Sequence, residues 1–478
     1  MQTLVGSNEL AAKHRVNATA VFSSRYQAIT VLVVLAVWCW VDVWPRGSLI
    51  PDHPESHRTD FTVYTKAGEA ALAGENPYSV TNARGWSYLY LPPFALLVSP
   101  LARLSEGWQC VIWFWISIAC LYGAFREFTI LDRWAFPRAW TKKADRLAAW
   151  GGIVCMIGFS LATLNCLQRG QVGVLQLYLT LLGGRMILTE TKRWSAFVGG
   201  SILAGGIILK LSPALPASVL VGGMAFMALR SHDKSTRPAF VRSLAVFSGL
   251  VVGLAVGIWI LPASIVGWER NQTYLETWRR DVLARTNELS HDPFAGDSHS
   301  KKNQSPMNGV WLLGNTLLRV ENAGDPTSSK TALPMDSPFG KKLQMGVRVT
   351  SILAASIALL AILWRGCPNS LLVAFAVANS ATLLVVPIAR GHYFMAMWPA
   401  AVWAPRWLMQ FNPMQAKFQL SCWWLIQIPP ILLILHYLFE STLGPLGVLG
   451  IGIWIWQLLL TFAVLIVLYR SRNILVNR

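Results

Sequence analysis

Long apolar segments separated by short connections run through almost the whole chain and limit what it can fold into. A helix crosses a lipid bilayer with about 20 consecutive apolar residues, and twelve segments approach or reach that length. They lie near residues 27–46, 108–126, 147–165, 171–189, 195–210, 213–230, 243–262, 346–364, 370–388, 393–411, 419–437 and 447–469. They lack the period-two alternation of barrel strands. An all-α polytopic membrane protein with about twelve transmembrane helices is therefore predicted.

The composition agrees with a chain that lies largely in lipid. Only 13% of the 478 residues are charged, against about 25% in soluble domains. A net charge of +18 would suggest nucleic acid if the protein were soluble. Here the Lys and Arg residues collect in short loops between apolar segments, as membrane topology requires. We therefore expect membrane lipids, and no nucleic acid, among the partners.

The basic loops also orient the segments. The loop 126–146 carries six Lys or Arg residues, and the loops 190–194 and 230–242 are basic as well. All of them reach the cytoplasm if both chain ends are inside and residues 91–104 do not cross. That apolar stretch has only about 14 residues, which suits a re-entrant or interfacial helix. If it crossed, the six-charge loop would lie outside.

This topology divides the chain into three parts. Residues 1–26 form a cytoplasmic segment before a retained signal anchor, residues 27–411 form the main transmembrane module, and residues 412–478 form the last transmembrane helices and a cytoplasmic tail. Two large extracytoplasmic loops, 47–107 and 263–345, interrupt the module. Each contains a predicted helix lying along the bilayer surface, at residues 60–74 and 268–280, and in the first an apolar face forms at helical spacing.

Polar residues with possible chemical roles fall on the extracytoplasmic side of this topology. They are Asp60 and Tyr90 in the first loop, Gln168 and Gln171 between the third and fourth spans, Lys210 at the end of the fifth, Asn303 and Gln304 in the second loop, and Arg390 and His392 between the ninth and tenth. This gathering at one face favours an enzyme over a transporter or lipid flippase, whose polar residues would lie across the membrane depth.

The charged candidates each have two interpretations. Asp60 suits a helix N-cap, where a carboxylate accepts free N–H groups, or a catalytic base. Lys210, between apolar residues, suits a phosphate ligand or a side chain that snorkels to the interface. Arg390 suits an interfacial anchor or a phosphate ligand, and His392 suits a phosphate ligand or a proton carrier near neutral pH.

The neutral candidate residues also have more than one interpretation. Gln168 and Gln171 suit helix caps or hydrogen bonds to sugar hydroxyls, and Tyr90 suits an interfacial aromatic belt or a platform for a sugar. Asn303 and Gln304 suit a polar turn. No metal and no cofactor are expected, because the nearest candidate cluster, Asp52, His53, Glu55 and His57, is better explained as a solvated loop.

Six elements, in order between about residues 60 and 400, resemble glycosyltransferase family 87. They are DFTVYTKAGEAALAGENPY, YLYLPPFALLVSPLARL, RGQVGVLQLYLTLL, ILKLSPALP, NQSPMNG and GHYFMAMWP. The resemblance implies a GT-C-type bundle and inverting transfer from a polyprenyl-phosphate sugar donor, often of mannose, to a lipid or glycan acceptor. It also implies an extracytoplasmic active site, in the plasma membrane of a bacterium.

The resemblance assigns roles to three positions. It implies Asp60 as the general base, His392 near the donor phosphate, and Lys210 as the family's Lys before Pro. The chain departs from the family pattern where Leu91 separates Tyr90 from the following prolines, and where Pro306 follows NQS in place of Leu.

Two other classes of function remain open from the sequence. A transporter or lipid flippase is one. The other is an enzyme like the O-antigen ligases or polymerases, which would use a diphosphate-linked glycan donor and arginines in outer loops such as Arg279, Arg280 and Arg390.

Overall fold

The computed structural model describes residues 25–48, 56–137, 145–230, 237–284, 304–321, 338–367, 369–386, 389–411, 416–443 and 446–476. Within these ranges the chain is helical and has no β-strand, and one isolated bridge joins Thr81 and Ser87. The predicted all-α class is confirmed. The predicted cytoplasmic segment 1–26 lies almost wholly outside the described residues.

Most of the helices follow the predicted apolar segments, whereas Pro306–Glu321 lies within the predicted loop 263–345. In chain order they are α1 (Arg25–Trp38, continued by Cys39–Val43 and Trp44–Gly47), α2 (Phe61–Ala73), α3 (Pro92–Val98, continued by Ser99–Arg103), α4 (Glu106–Ala135), α5 (Asp145–Gln168), α6 (Gly173–Thr189), α7 (Arg193–Leu209), α8 (Ala214–Arg230), α9 (Arg237–Ala255, continued by Val256–Ile260 and Leu261–Val266), α10 (Trp268–Thr277, continued by Trp278–Leu283), α11 (Pro306–Glu321), α12 (Pro338–Arg365), α13 (Ser370–Val385), α14 (Trp398–Met409), α15 (Ala416–Leu438) and α16 (Val448–Val476). A 3-10 helix, Gly391–Met397, precedes α14.

Six described helices are long and apolar enough to cross a bilayer: α1, α4, α9, α12, α15 and α16. The protein is therefore an integral membrane protein. The apolar helices α6, α7, α8 and α13 have 16 or 17 residues, which gives about 25 Å against a hydrocarbon core of about 30 Å. α14 has 12 residues. The predicted count of about twelve crossings is not confirmed by these lengths.

The apolar stretch 91–104 forms a short helix. Pro92 and Pro93 begin α3, where the fixed φ of proline suits the first helical turn. The seven α-helical residues of α3 and the five 3-10 residues that follow them rise about 20 Å together, less than a hydrocarbon core of about 30 Å. The segment packs on α2. That it does not cross the bilayer stays a prediction.

The expectation that the apolar face of α2 rests on the bilayer surface is wrong. Phe61, Tyr64 and Ala67 on that face are buried, and they pack with Tyr88 and Phe94 from the same loop in an aromatic cluster. The loop therefore covers the apolar stripe of α2 with its own side chains. For the same reason Tyr88 is not part of an interfacial belt.

Small residues allow a close contact between α7 and α9. A Cβ at Gly249 would collide with the carbonyl oxygen of Phe197, and one at Gly200 with that of Val246. Small residues let two backbones approach where lipid supplies little hydrophobic drive for association. α13 is buried along its whole length, and α15 and α16 pack on the same core.

Candidate active site

A cavity of about 350 Å³ lies among α6, the end of α7, the continuation of α10, α13 and the 3-10 helix. Five of the nine predicted site residues line it, and they come from four separate parts of the sequence. These are Tyr90, Gln171, Lys210, Arg390 and His392. The predicted surface helix 268–280 is also helical, and its continuation contributes Trp278 and Val282 to the wall.

The polar side of the cavity is cationic. Lys210, Arg390 and His392 line it, and the described lining residues include no Asp or Glu. α6 begins at Gly173 in the same wall, so the positive end of its helix dipole lies at the cavity. The rest of the wall is largely apolar and comes from α6, α7 and α13. A ligand with an anionic group and an apolar portion matches this distribution.

Lys210 directly follows the last turn of α7. Its backbone N–H still donates to the carbonyl of Gly206, 3.1 Å away, but its own backbone is extended. The side-chain Nζ lies 3.1 Å from the centre of the Tyr393 ring. The negative face of an aromatic ring attracts a cation without neutralising it, so the ammonium keeps its charge for a ligand in the cavity.

His392 is buried, with 3% of its surface exposed, and its Nε2 has no hydrogen-bond partner among the described residues. Burial lowers the pKa of His392 well below its usual value, and the nearby cations Arg169, Lys210 and Arg390 lower it further. The imidazole is therefore neutral at neutral pH. In this state it can donate one hydrogen bond to a ligand oxygen and adds no charge.

Asp60 immediately precedes α2, yet its carboxylate makes no capping hydrogen bond to that helix. The connection between α5 and α6, residues 169–172, holds this carboxylate instead. Nε and Nη2 of Arg169 each donate to a carboxylate oxygen over 3.3 Å, and Nε2 of Gln171 donates to Oδ2. The N-cap interpretation of the Asp60 side chain is wrong, because both of its oxygens are engaged by the α5–α6 connection.

Hydrogen bonds connect Asp60 to the cavity. The Tyr90 hydroxyl donates to Oε1 of Gln171 over 3.1 Å, while the other side of that amide binds Asp60. The Tyr64 hydroxyl lies 3.3 Å from that of Tyr90. Because Gln171 and Tyr90 both line the cavity, Asp60 lies one hydrogen bond behind its wall.

The remaining predicted residues lie elsewhere or outside the described part. Gln168 donates to Oδ2 of Asp42 on the π-helical turn after α1, over 3.0 Å, and does not line the cavity. Gln304 is buried, and its backbone N–H donates over 2.6 Å to the carbonyl of Ala389, next to Arg390. Asn303 is outside the described residues.

The nearest candidate metal cluster is only partly described. Of its members, His57 alone is within the described ranges, and its Nε2 lies 2.8 Å from the Thr62 hydroxyl. No group of three His, Cys, Asp or Glu side chains suited to a metal occurs in the described part of the chain.

Two residues were missed as site candidates. Arg169 binds Asp60, and the Tyr393 ring contacts the ammonium of Lys210. The sequence could have identified Tyr393 by its position directly after His392 in a polar connection. It could have identified Arg169 as a basic residue between Gln168 and Gln171.

A model of glycosyltransferase family 87 matches residues 88–387, more than half of the 478 residues. The matched range includes the cavity residues on α6 and α7 but leaves out Asp60, Arg390 and His392. No curated protein and no solved structure matches the chain. Its apolar helices, its cationic cavity and this match over most of the sequence agree, and the chain belongs to glycosyltransferase family 87.

Proposed function

We propose that this membrane glycosyltransferase transfers mannose from a polyprenyl-phosphate donor to a lipid or glycan acceptor on the extracytoplasmic face, with inversion at the anomeric carbon. The observation that carries the proposal is a cavity with three basic residues and no described acid in its wall, beside a buried carboxylate. A lipid-linked sugar phosphate has the matching features, one anionic group and a long apolar tail.

The residues that line the cavity have separate roles in this proposal. Lys210 and Arg390 bind the donor phosphate, and neutral His392 donates a hydrogen bond to one of its oxygens. The apolar wall, which includes Ile207 and Leu383, contacts the first part of the polyprenyl chain. Gln171 and Tyr90 lie between the phosphate ligands and Asp60 and hydrogen-bond the sugar.

The reaction needs one base. The acceptor hydroxyl oxygen forms a bond to the anomeric carbon, the bond from that carbon to the phosphate oxygen breaks, and Asp60 takes the hydroxyl proton. Polyprenyl phosphate leaves with one more negative charge than the phosphate carried in the donor. Lys210 and Arg390 stabilise that developing charge, and such fixed cations act most strongly where water is excluded.

The proposed membrane arrangement has twelve crossings in a GT-C-type bundle, with both ends in the cytoplasm. The 24-residue α5 crosses as well, and the short helices α6, α7, α8, α13 and α14 cross where the surrounding protein and a thinned bilayer accommodate them. Single cysteines at two exposed loop positions test this arrangement. In intact cells an impermeant thiol reagent should label Asn76→Cys and leave Lys192→Cys unlabelled. The reverse pattern would refute the proposed orientation.

The activity is tested with purified protein in lipid, radiolabelled polyprenyl-phosphate-mannose and a membrane lipid extract as acceptor. Wild type should form a labelled product, and Asp60→Asn should not, although it elutes as a folded protein from size-exclusion chromatography. Glu69→Gln is the matched control, since it removes an exposed carboxylate from the same helix. Full activity in Asp60→Asn would exclude Asp60 as the base.

The same preparation separates the proposal from its rivals. If folded wild-type protein transfers no sugar from any polyprenyl-phosphate donor, the proposed donor class is wrong. Transfer from a diphosphate-linked glycan alone would support the ligase-like alternative. Movement of a labelled lipid across proteoliposomes without sugar transfer would support a flippase.

A further inference from the structure

The α5–α6 connection and the start of α2 are joined through the backbone. The N–H of Asp60 donates to the carbonyl of Arg169 over 2.8 Å, and the Thr59 hydroxyl donates to the same carbonyl over 3.3 Å. Gly170 has a φ of +66°, and a Cβ there would lie 2.7 Å from the Cβ of Phe61. Only glycine fits this position without strain, so the main chain next to Arg169 has a fixed place beside Asp60.

From this position the side chain of Arg169 donates two hydrogen bonds to the carboxylate of Asp60. Its Nε and Nη2 point to different oxygens of Asp60, which is the paired geometry that a planar guanidinium makes with a carboxylate. Burial lowers the pKa of Arg169, but the charge of Asp60 and its hydrogen bonds, together with Tyr393 and Tyr64, give a net rise of that pKa. The guanidinium therefore remains charged beside Asp60.

The ring of Trp86 also contacts the guanidinium of Arg169. The Cζ of Arg169 lies 5.0 Å from the centre of the Trp86 ring. Arg84 approaches the same ring, at 4.8 Å, but no hydrogen bond or ion pair joins it to Asp60. The two arginines thus share one aromatic partner and differ in whether they contact the carboxylate, so Arg84 serves as a matched control.

We propose that Arg169 is a positioning residue for the transfer reaction, which holds the carboxylate of Asp60 in the orientation that accepts the acceptor proton. The inference rests on the proposed role of Asp60 as the base. Arg169 itself does not line the cavity. It acts through Asp60, with Gln171 completing the hydrogen bonds to the carboxylate.

A stabilising role and a positioning role predict different losses when Arg169 is removed. The side chain of Arg169 is 22% exposed and that of Asp60 11%, so loss of the guanidinium leaves a largely buried carboxylate without its partner and lowers stability. Orientation is a different matter, since a displacement of about 1 Å at a reacting group can lower the rate by roughly 100-fold.

The first test measures turnover and donor KM for wild type, Arg169→Gln, Arg169→Lys and Arg84→Gln. We expect Arg169→Gln to lower kcat by roughly 10- to 100-fold and to change the donor KM by less than about threefold. Arg169→Lys should recover part of the loss, because an ammonium keeps the charge but lacks the planar fork. Arg84→Gln should resemble wild type. Unchanged kcat in Arg169→Gln, or a raised KM alone, would overturn the inference.

A double-mutant cycle separates this inference from the proposed function. Asp60→Glu keeps a carboxylate and therefore some transfer. If Arg169 acts through Asp60, the losses of kcat caused by Arg169→Gln and Asp60→Glu should be less than additive in the double variant. Additive losses would mean that Arg169 acts on another group. Full activity of Asp60→Asn would defeat the proposed base, and a slow Arg169→Gln in that case would also place the role of Arg169 elsewhere.

Labelling of Asp60 by a hydrophobic carbodiimide gives a readout independent of transfer. Both oxygens of Asp60 accept hydrogen bonds from Arg169, so removing the guanidinium should expose the carboxylate to the reagent. We expect faster labelling of the Asp60 peptide in Arg169→Gln than in wild type, by mass spectrometry, with Glu69 labelled equally in both. Equal labelling of Asp60 would show that Arg169 does not hold it.

Discussion

The ammonium nitrogen of Lys210 lies 3.1 Å from the centre of the Tyr393 ring, inside the cavity that both residues line. A cation needs a partner at this depth, and an acidic partner would cancel the charge that a donor phosphate requires. The aromatic face holds the ammonium in place by attraction to the ring quadrupole and leaves its N–H groups available. Lys210 and Tyr393 therefore act as a pair.

Removing the ring should weaken donor binding without removing the cation. We expect Tyr393→Leu to lower the affinity for the lipid-linked donor roughly fivefold, since a cation–π contact is worth about 1 kcal/mol. Tyr393→Phe keeps the ring face and should bind as wild type does. Lys210→Ala should lose more affinity than Tyr393→Leu. Binding of polyprenyl-phosphate-mannose to the protein in nanodiscs measures all three. Equal binding by Tyr393→Leu and Tyr393→Phe would contradict the pairing.

Two glutamines three residues apart should differ in their effect on transfer. Gln171→Leu removes a hydrogen bond to a carboxylate, worth about 1.5–3 kcal/mol, so we expect turnover to fall roughly tenfold or more. Gln168→Leu removes only a contact with Asp42, which keeps hydrogen bonds from Trp38 and Arg46, and should leave turnover near that of wild type. Initial rates of labelled sugar transfer measure the difference. Similar losses in both variants would show that the α5–α6 connection acts as one structural unit.

The buried imidazole of His392 should make the fold sensitive to acid. Its pKa is lowered in the folded state by burial and by three cations, so below about pH 6.5 the unfolded chain binds a proton that the folded chain resists. Stability should therefore fall as the pH drops from 6.5 towards the lowered pKa, by at most about 1.4 kcal/mol per pH unit.

His392→Gln should remove this contribution. The variant should lose less thermal stability than wild type between pH 7.5 and pH 5.5, measured as Tm in detergent. Burial also lowers the pKa of His57, and both proteins share that part of the acid sensitivity. The same fall in Tm for both would mean that His392 takes up its proton in the folded protein without cost.

Two glycine substitutions should have opposite effects on stability. A Cβ at Gly249 would collide with the carbonyl oxygen of Phe197 on α7, whereas a Cβ at Gly222 on α8 would meet no atom within 4 Å. Gly249→Ala should push the helices apart at a cost of about 1–3 kcal/mol. Gly222→Ala should gain up to about 1 kcal/mol from helix propensity. Thermal unfolding in detergent compares them, and equal Tm values would contradict the close helix contact.

The sequence by itself determined the helical membrane class, the family and five polar residues of the cavity lining. A bilayer requires long apolar helices, so their positions can be read from hydrophobicity alone. Polar residues are costly within such segments. Lys210, Arg390, His392, Tyr90 and Gln171 therefore stand out at segment ends, and one topology brings these ends to one face.

Only the tertiary structure decided which of these residues act together. Arg169 and Asp60 are 109 positions apart, and no local pattern pairs them. Gln168 and Gln171 have the same chemistry in the same connection, but the positive φ of Gly170 turns one towards Asp42 and the other towards Asp60. The apolar face of α2 is a second example, because such a face is stabilised by lipid as well as by the apolar core of a protein. The helical spacing of apolar residues in the sequence indicates that such a face is buried. Only the tertiary structure shows which groups bury it.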